Sequence, residues 1–519
     1  MSEPAGFGGP AEAETEGEWR RLDRRTLLVT VVIMIGVAIV AGVPSFVGMA
    51  GGLGPLTAIG WVSAGAVLLI VCVTGADYIR WRRTRYRIGP ERAEFHTGLF
   101  LLKRRSLARE RIRSVDLTAH PLLRVLGLVK VRIGTGEQTG AGESTLELDP
   151  VTRTEGEWLR RELLDRVSGT SGAYSDSTLA SFDRRWIRYA PLSFVAPLLG
   201  ASAAGGLVQL SDWVGMQLRL FEWLGDYFRT ISILWGSLIL LAVLALVGVM
   251  GSLGLWIEMW WNYRLEREPG RTLRVRRGLF TSRSISIEER RLRGVELVEP
   301  FGVRMAGAAR VDAVATGLAQ EEEDVSSDNK TLLPAAPRAL ADEVAAQVLR
   351  EPVSPTSSVT LIPHPRAARG RRLRWSVAYA LVPVAILTVL GLLLTDVLLF
   401  IAALCAVILL PVAVLLALDA YRNLGHGLSG GYLVARSGTV RRATVALQRD
   451  GVIGWTIKQS YFQRRAGLLT LTATTAAGEG AYHVYDAARG EGLSFADEAV
   501  PGLLAPFLEP DPDETPRQT

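Results

Sequence analysis

One stretch occurs three times in this chain of 519 residues. The first copy runs from Gly98-Leu99-Phe100 to Arg124 and Gly127, and the second from Gly278-Leu279-Phe280 to Arg304 and Gly307. The third, more diverged, runs from Gly438-Thr439-Val440 to Arg464 and Gly467. In every copy the arginine lies 26 residues after the first glycine and the last glycine 29 after it, and position 17 is apolar: Val115, Val295, Trp455. An internal repeat constrains the architecture before any local argument does. Each copy leads into β-like sequence (Val129 to Ile133, Val311 to Val314, Leu468 to Thr474) and follows two long hydrophobic segments. The repeating unit is therefore two membrane helices and then one small β-domain.

Composition agrees with a mixture of spans and water-exposed domains: 49% of residues are hydrophobic and 21% charged. The net charge of +6 comes from arginine clusters beside the apolar segments, which points to anionic membrane surfaces rather than nucleic acid. The two cysteines, Cys72 and Cys405, both lie in apolar runs, so no disulfide framework is implied.

The expected fold class is an α+β membrane protein with six transmembrane helices in three pairs, each pair followed by an antiparallel β-domain closed by an amphipathic helix. Residues 1–26 form a disordered, basic-ended tail, 27–80 the first pair and 81–170 the first β-domain. Residues 171–191 are a linker, and 192–260 hold the second pair with an amphipathic outer loop at 211–230. The second β-domain covers 261–352, a basic linker 353–375, the third pair 376–420, the third β-domain 421–508 and an acidic tail 509–519. Each span carries about 20 apolar residues, enough to cross a hydrocarbon core of about 30 Å. Leu159, Leu163 and Val167, then Leu340, Val344 and Val348, mark closing helices by their spacing. Phe495, Leu503, Leu504 and Phe507 mark the third. Trp256, Trp260, Trp261 and Tyr263 read as an interfacial aromatic belt.

Arg20, Arg21, Arg24 and Arg25 precede the first pair, and Arg80, Arg82, Arg83 and Arg85 follow it. Arg184, Arg185 and Arg188, and then Arg366, Arg369, Arg371, Arg372 and Arg374, introduce the other two. The turns between paired spans are short or charge-poor. The positive-inside rule therefore puts both termini and all three β-domains in the cytoplasm.

The arginine-flanked span pair, Gly-Leu-Phe, the strands Arg111-Ile112-Arg113-Ser114-Val115 and Arg291-Leu292-Arg293-Gly294-Val295, and the turn Leu122-Leu123-Arg124-Val125-Leu126-Gly127-Leu128 together resemble the bacterial membrane-flanked domain. That is a pleckstrin-homology-like (PH-like) family, here in a YdbS/YdbT-like arrangement with three domains. The third copy departs from it at Thr439-Val440 and at Gln448-Arg449-Asp450. The resemblance implies PH-like β-barrels, each capped by a C-terminal helix, and no established catalytic activity.

The residues agree that this is not an enzyme with a familiar site. None of the five histidines is spaced for zinc, and Gly134-x-Gly136-x-x-x-Gly140 lies between strands rather than opening a helix. No metal or cofactor is expected. Asp77 and Asp419, at the inner ends of spans, leave the membrane interior without the ionisable path of a coupled transporter. The binding candidates are Arg124, Arg304 and Arg464, since guanidinium suits phosphate or a partner peptide; their alternative role is to fix a turn or pair with a carboxylate. Lys103, Arg104 and Arg105 are lipid-surface candidates. Gly98, Gly127, Gly278, Gly307, Gly438 and Gly467 are read as structural. The expected function is protein–protein scaffolding or self-assembly at the inner leaflet, in envelope stress or antimicrobial-peptide tolerance, with a protein partner or homo-oligomer and anionic lipid as partners. The rival is a channel, flippase or transporter accessory with the barrels as a gating collar.

Overall fold

A computed structural model describes residues 19–89, 91–97, 103–108, 112, 114–134, 145–164, 177–193, 195–213, 215–268, 271–316 and 330–507. Gly98, Val167, the acidic run 321–324 and the tail 509–519 lie outside these residues. The chain divides into two compact units. The first carries β1 (Arg20–Arg21), α1 (Thr26–Leu53), α2 (Pro55–Arg83), β2 (Arg85–Ile88), β3 (Arg92–Thr97), β4 (Lys103–Ala108), β5 (Ser114–Ala119), α3 (Pro121–Val125), β6 (Leu128–Gly134), β7 (Thr145–Thr152) and α4 (Arg153–Leu164).

The rest of the chain, most of it in the second unit, begins with β8 (Ser177–Ser181), a 3-10 helix Arg184–Leu192, α5 (Val195–Trp213), α6 (Gln217–Thr230) and α7 (Ile233–Trp260). The second module follows: β9 (Arg264–Glu268), β10 (Thr272–Arg277), β11 (Ser282–Glu288), β12 (Leu292–Pro300), α8 (Phe301–Met305), β13 (Ala308–Ala315), β14 (Thr331–Pro337) and α9 (Arg338–Leu349). After α10 (Pro355–Ser358), α11 (Arg366–Leu393) and α12 (Asp396–Arg422) comes the third: β15 (Gly425–Ser429), β16 (Tyr432–Ser437), β17 (Arg441–Gln448), β18 (Val452–Lys458), α13 (Tyr461–Arg465), β19 (Leu468–Thr475), β20 (Ala481–Ala488) and α14 (Arg489–Ala499). Among the described residues each module thus runs four strands, a short helix, two strands and a closing helix.

The expected closed barrel does not form among the described residues. In no module do the third and fourth strands pair with each other. The third module instead gives its third strand, β17, to the fourth strand of the second, β12, and the result is an open six-stranded antiparallel sheet in the order β14-β13-β12-β17-β16-β15. The remaining strands of the third module form the separate sheet β18-β19-β20. The joined edge is well filled: Val295, Leu297 and Ala446 are all fully buried. These three belong to one hydrophobic cluster, and burying a Val or Leu side chain stabilises by about 1.5–3 kcal/mol, so the packing along the ladder helps hold the two modules together. Helix α9 lays Ala341, Val344, Ala345 and Val348 onto the same core as Leu273, Val275 and Ile285.

Among the described residues five helices are long and apolar enough to cross a membrane: α1, α2, α7, α11 and α12. The expected third span, 192–210, differs from the other five. The 3-10 helix precedes α5 at a 63° bend, and only the two together have the length and composition of a span. Pro191 lies inside the 3-10 helix and cannot donate a backbone hydrogen bond, which suits a tight helix end rather than a continuous α-helix. Helix α5 nevertheless packs hard on α7. A Cβ on Gly200 would overlap the Leu244 carbonyl, and one on Gly248 the Ala196 carbonyl. Such small residues let two backbones approach closely. The expected outer loop is the helix α6, with Leu218, Phe221 and Trp223 exposed.

Two segments expected to be tail and linker are strands. Arg20 and Arg21, before the first span pair, pair with Tyr86 and Arg85 after it. Ser177–Ser181, read as linker, pairs with β9 across the second pair. The third module repeats this as a single bridge, Ile362 to His426. Short polar sequence such as Ser-Thr-Leu-Ala-Ser carries little alternation to reveal an edge strand; Leu179 and Ala180 are its only apolar anchors on the module core. The aromatic belt is also corrected. Trp256, Trp260 and Tyr263 are buried in the core of the second module with Trp186 and Tyr189, and the Tyr263 hydroxyl donates to the Leu332 carbonyl. The last closing helix ends at Ala499, because Pro501 and Gly502 (φ +82°) break it; Leu503, Leu504 and Phe507 lie beyond.

Candidate functional site

The repeated arginines and glycines fall on one motif, a short helix between the fourth and fifth strands. Helices α3, α8 and α13 each follow a residue in extended conformation, and each ends at its repeat glycine in the left-handed region: Gly127 (φ +70°), Gly307 (φ +67°) and Gly467 (φ +64°). The glycine N–H donates to the arginine carbonyl, at 3.1 Å from Gly127 to Arg124, 3.0 Å from Gly307 to Arg304 and 3.3 Å from Gly467 to Arg464. The glycine carbonyl then accepts from the first residue of the closing helix, Arg153, Arg338 or Arg489, at 3.0 Å in all three modules. Space around each glycine is open, so it is the backbone angle that calls for glycine here. Gly278 (φ +114°) and Gly438 (φ +99°) also occupy positive φ; a Cβ on Gly438 would overlap the Arg441 carbonyl.

The three arginine side chains have different surroundings. Arg304 is largely covered, reaches Asp419 at the module-side end of α12, and lies over the Phe301 ring. Its Nη2 donates to both carboxylate oxygens, while Asn423 Nδ2 (2.9 Å) and Thr439 Oγ1 (3.0 Å) donate to Oδ2. Next to this cluster Arg442 forks onto Glu299 with two hydrogen bonds of 2.7 Å, and Arg338 adds a third of 2.6 Å. Burial alone would raise the Glu299 carboxyl, but Arg442 and Arg338 more than offset it and hold it below the usual range. Glu296, also buried and close to the Asp312 charge, is pushed up instead, with Arg441 at 3.1 Å pulling the other way. Arg124 and Arg464 are both exposed. Lys103, Arg104 and Arg105 lie on β4, opposite Thr97, His96 and Phe95, with Arg104 exposed.

A second junction ties the third module to the start of α11, and sequence reasoning missed it. Asp486, fully buried and itself at φ +57°, accepts from Arg371 (2.7 Å) and Gln463 (2.9 Å), with Arg372 at 3.4 Å. Beside it His364 Nε2 and His426 Nδ1 are 2.9 Å apart, although 62 residues separate them. The Tyr421 hydroxyl at the end of α12 donates to the His364 carbonyl. Burial lowers both imidazoles, His426 to about 4. Spacing along the chain carries no sign of this pair; the only hint was that the third copy places histidine on its first strand. Among the described residues no three His, Cys, Asp or Glu side chains are grouped to hold a metal ion. In the first unit, Asp77 accepts from Thr30 Oγ1 at 2.6 Å and pairs with Arg80 at 2.8 Å, and Arg25 holds the Leu126 carbonyl at 2.9 Å.

Apolar helices pinned by their charged ends to small antiparallel modules define a transmembrane protein with repeated PH-like domains. The chain belongs to the bacterial PH domain family, which matches it three times, over residues 29–167, 218–352 and 382–497. It is similar to the UPF0699 transmembrane protein YdbT of Bacillus subtilis (strain 168), with 22% identity over 434 residues that cover 78% of this chain and 82% of that one. No solved structure matches the chain.

Proposed function

We propose that this protein is a non-enzymatic membrane scaffold, whose three PH-like modules stand on the cytoplasmic face and assemble protein partners or further copies of the chain. The β12–β17 ladder carries this reading: seven register pairs, from Gly294 with Leu447 to Pro300 with Arg441, join two modules edge to edge. A domain that leaves its third and fourth strands apart offers an edge for strand addition, a common mode of peptide and protein recognition. In this reading the chain crosses the membrane six times. Strands that hydrogen-bond share one side of the bilayer, because unpaired backbone is not tolerated in hydrocarbon. Strand β8 precedes α5 and β9 follows α7, so an even number of crossings separates them; with α7 as one, the bent segment ending in α5 is the other. The β1–β2 ladder and the Ile362–His426 bridge make the same demand on the other pairs. The arginine flanks favour the cytoplasmic side. Exposed Arg124 and Arg464 add a salt-screened attraction to anionic lipid. The test is the mass of the full-length protein purified in mild detergent. A detergent-corrected mass above one chain, or a stoichiometric co-purifying protein, is expected. A bare monomer with no partner overturns the reading.

A further inference from the structure

We propose that copies of this chain join head to tail by pairing β18 of one copy with β4 of the next, repeating the step that already joins the second module to the third. The inference rests on the scaffold reading and names its partner as a second copy.

The edges correspond. In the existing join, a fourth strand, β12, takes a third strand, β17. The fourth strand of the third module is β18, which ends the sheet β18-β19-β20; the third strand of the first module is β4, which ends the sheet β1-β2-β3-β4. Among the described residues nothing pairs with the outer edge of either. Exposed strand edges are normally blunted by charge or proline. Edge β4 is charged, with Lys103, Arg104 and Arg105, but edge β18 carries Ile453 and Ile457 at 63% and 43% exposure, where the counterpart of Ile457, Leu297, is fully buried.

A glycine gives an independent observation. Gly294 and Gly454 occupy the same place, 16 residues after the first glycine of their repeats. A Cβ on Gly294 would overlap the Ala446 carbonyl of the strand laid against it. Around Gly454 there is nothing within 4 Å. Both sit at a register irregularity, but neither has positive φ, so the irregularity alone does not call for glycine. Glycine weakens a strand interior, and one common reason for it is the close approach of another backbone. The strand residue at the place of Ala446 is small in β4 as well: Ser106.

The repeat arginine fits the same step. Arg304, just after β12, grips Asp419, three residues before Arg422 at the foot of the next span pair. Arg464 holds the equivalent place after β18, is exposed, and among the described residues pairs with no carboxylate. The acid three residues before Arg80 at the foot of α2 is Asp77. In the join, Arg464 of one copy meets Asp77 of the next. The contact is heterologous, so it propagates until a ring closes, and confinement of every copy to one membrane raises the effective concentration for it.

Transferring the Leu297–Thr444 register pair places Ile457 opposite Arg104 of the next copy. The test uses full-length protein in membranes with Cys72→Ala and Cys405→Ala. Cells co-expressing an Ile457→Cys chain and an Arg104→Cys chain should give, on mild oxidation, a disulfide dimer and nothing larger. One chain carrying both substitutions should give a ladder of species, and either chain alone should stay monomeric. Adding Gly454→Val, which meets only open space within its own chain, should abolish the dimer with no loss of protein yield. No mixed dimer, a dimer from Ile457→Cys alone, or one indifferent to Gly454→Val overturns the proposal. Amine cross-linking of the unaltered protein separates the two levels: oligomers without the disulfide sink the strand pairing alone, and neither product sinks self-assembly as well.

Discussion

Arg304 donates through Nη2 to both carboxylate oxygens of Asp419, at 3.0 and 2.9 Å, across 115 residues of chain. The contact locks the short helix of the second module to the foot of the span that leads into the third. Because Asn423 and Thr439 also donate to Asp419, removing the acid strands three donors at once.

Asp419→Ala should therefore lower stability by about 2 kcal/mol, the scale of hydrogen bonds to a charged group. Thermal unfolding in detergent should show a reduced midpoint. Arg304→Ala in the same background should add much less than it does alone, since the two residues act as a pair. Full additivity would mean that the contact carries no energy.

The left-handed glycines should tolerate asparagine better than valine. At Gly307 a β-branched residue faces φ +67° with open space around it, so the cost is backbone strain of about 1–2 kcal/mol rather than a clash. Gly307→Val and Gly127→Val should each reduce the yield of folded, protease-resistant protein, and Gly307→Asn should recover most of it. Equal behaviour of valine and asparagine would remove the conformational argument.

Acid should loosen the third module. An unfolded histidine titrates near about 6.5, whereas buried His426 holds its neutral form down to about 4. The unfolded chain thus takes up a proton that the native one refuses. The stability of the neutral pair is complete above the unfolded value and falls by about 1.4 kcal/mol per pH unit per histidine as pH drops from there toward the folded value. Melting midpoints at pH 7.5 and 4.5 should differ, and His426→Gln should shrink the difference. An unchanged pH dependence in that variant would assign the effect to other groups.

Reporter fusions test the membrane arrangement. Those at Gly52, Gly225 and Asp396 should report the outside of the cell, and those at Gly172, Asn329 and the C-terminus the cytoplasm. A module fusion that reports outside would reject the common side for all three modules.

Much of the architecture was legible in the sequence because it is repeated. Five of the expected spans, the β-modules and the turn glycines recur along the chain, and periodicity reports them. Pairing between distant segments was not legible. The β12–β17 join leaves the second and third modules open between their third and fourth strands, and a pairing between strands about 150 residues apart leaves no periodic trace in the sequence. The edge strand at Ser177–Ser181 is too short and polar to alternate visibly. Trp256 and Trp260 look the same from sequence whether they face lipid or a module core. Arg304 and Arg464 occupy one register position, yet one finds Asp419 and the other faces solvent; only the order of modules along the chain separates them.

The small ladder between Arg20–Arg21 and β2 also bears on biogenesis. Its two strands flank a helical hairpin of 28 and 29 residues, so they meet only after both helices have been threaded and returned. A chain stalled with one helix inserted would hold the strands on opposite faces of the bilayer, and its first sheet would keep a bare edge. The ladder can therefore close only when both helices of the hairpin are in place and return the chain to the side from which it set out.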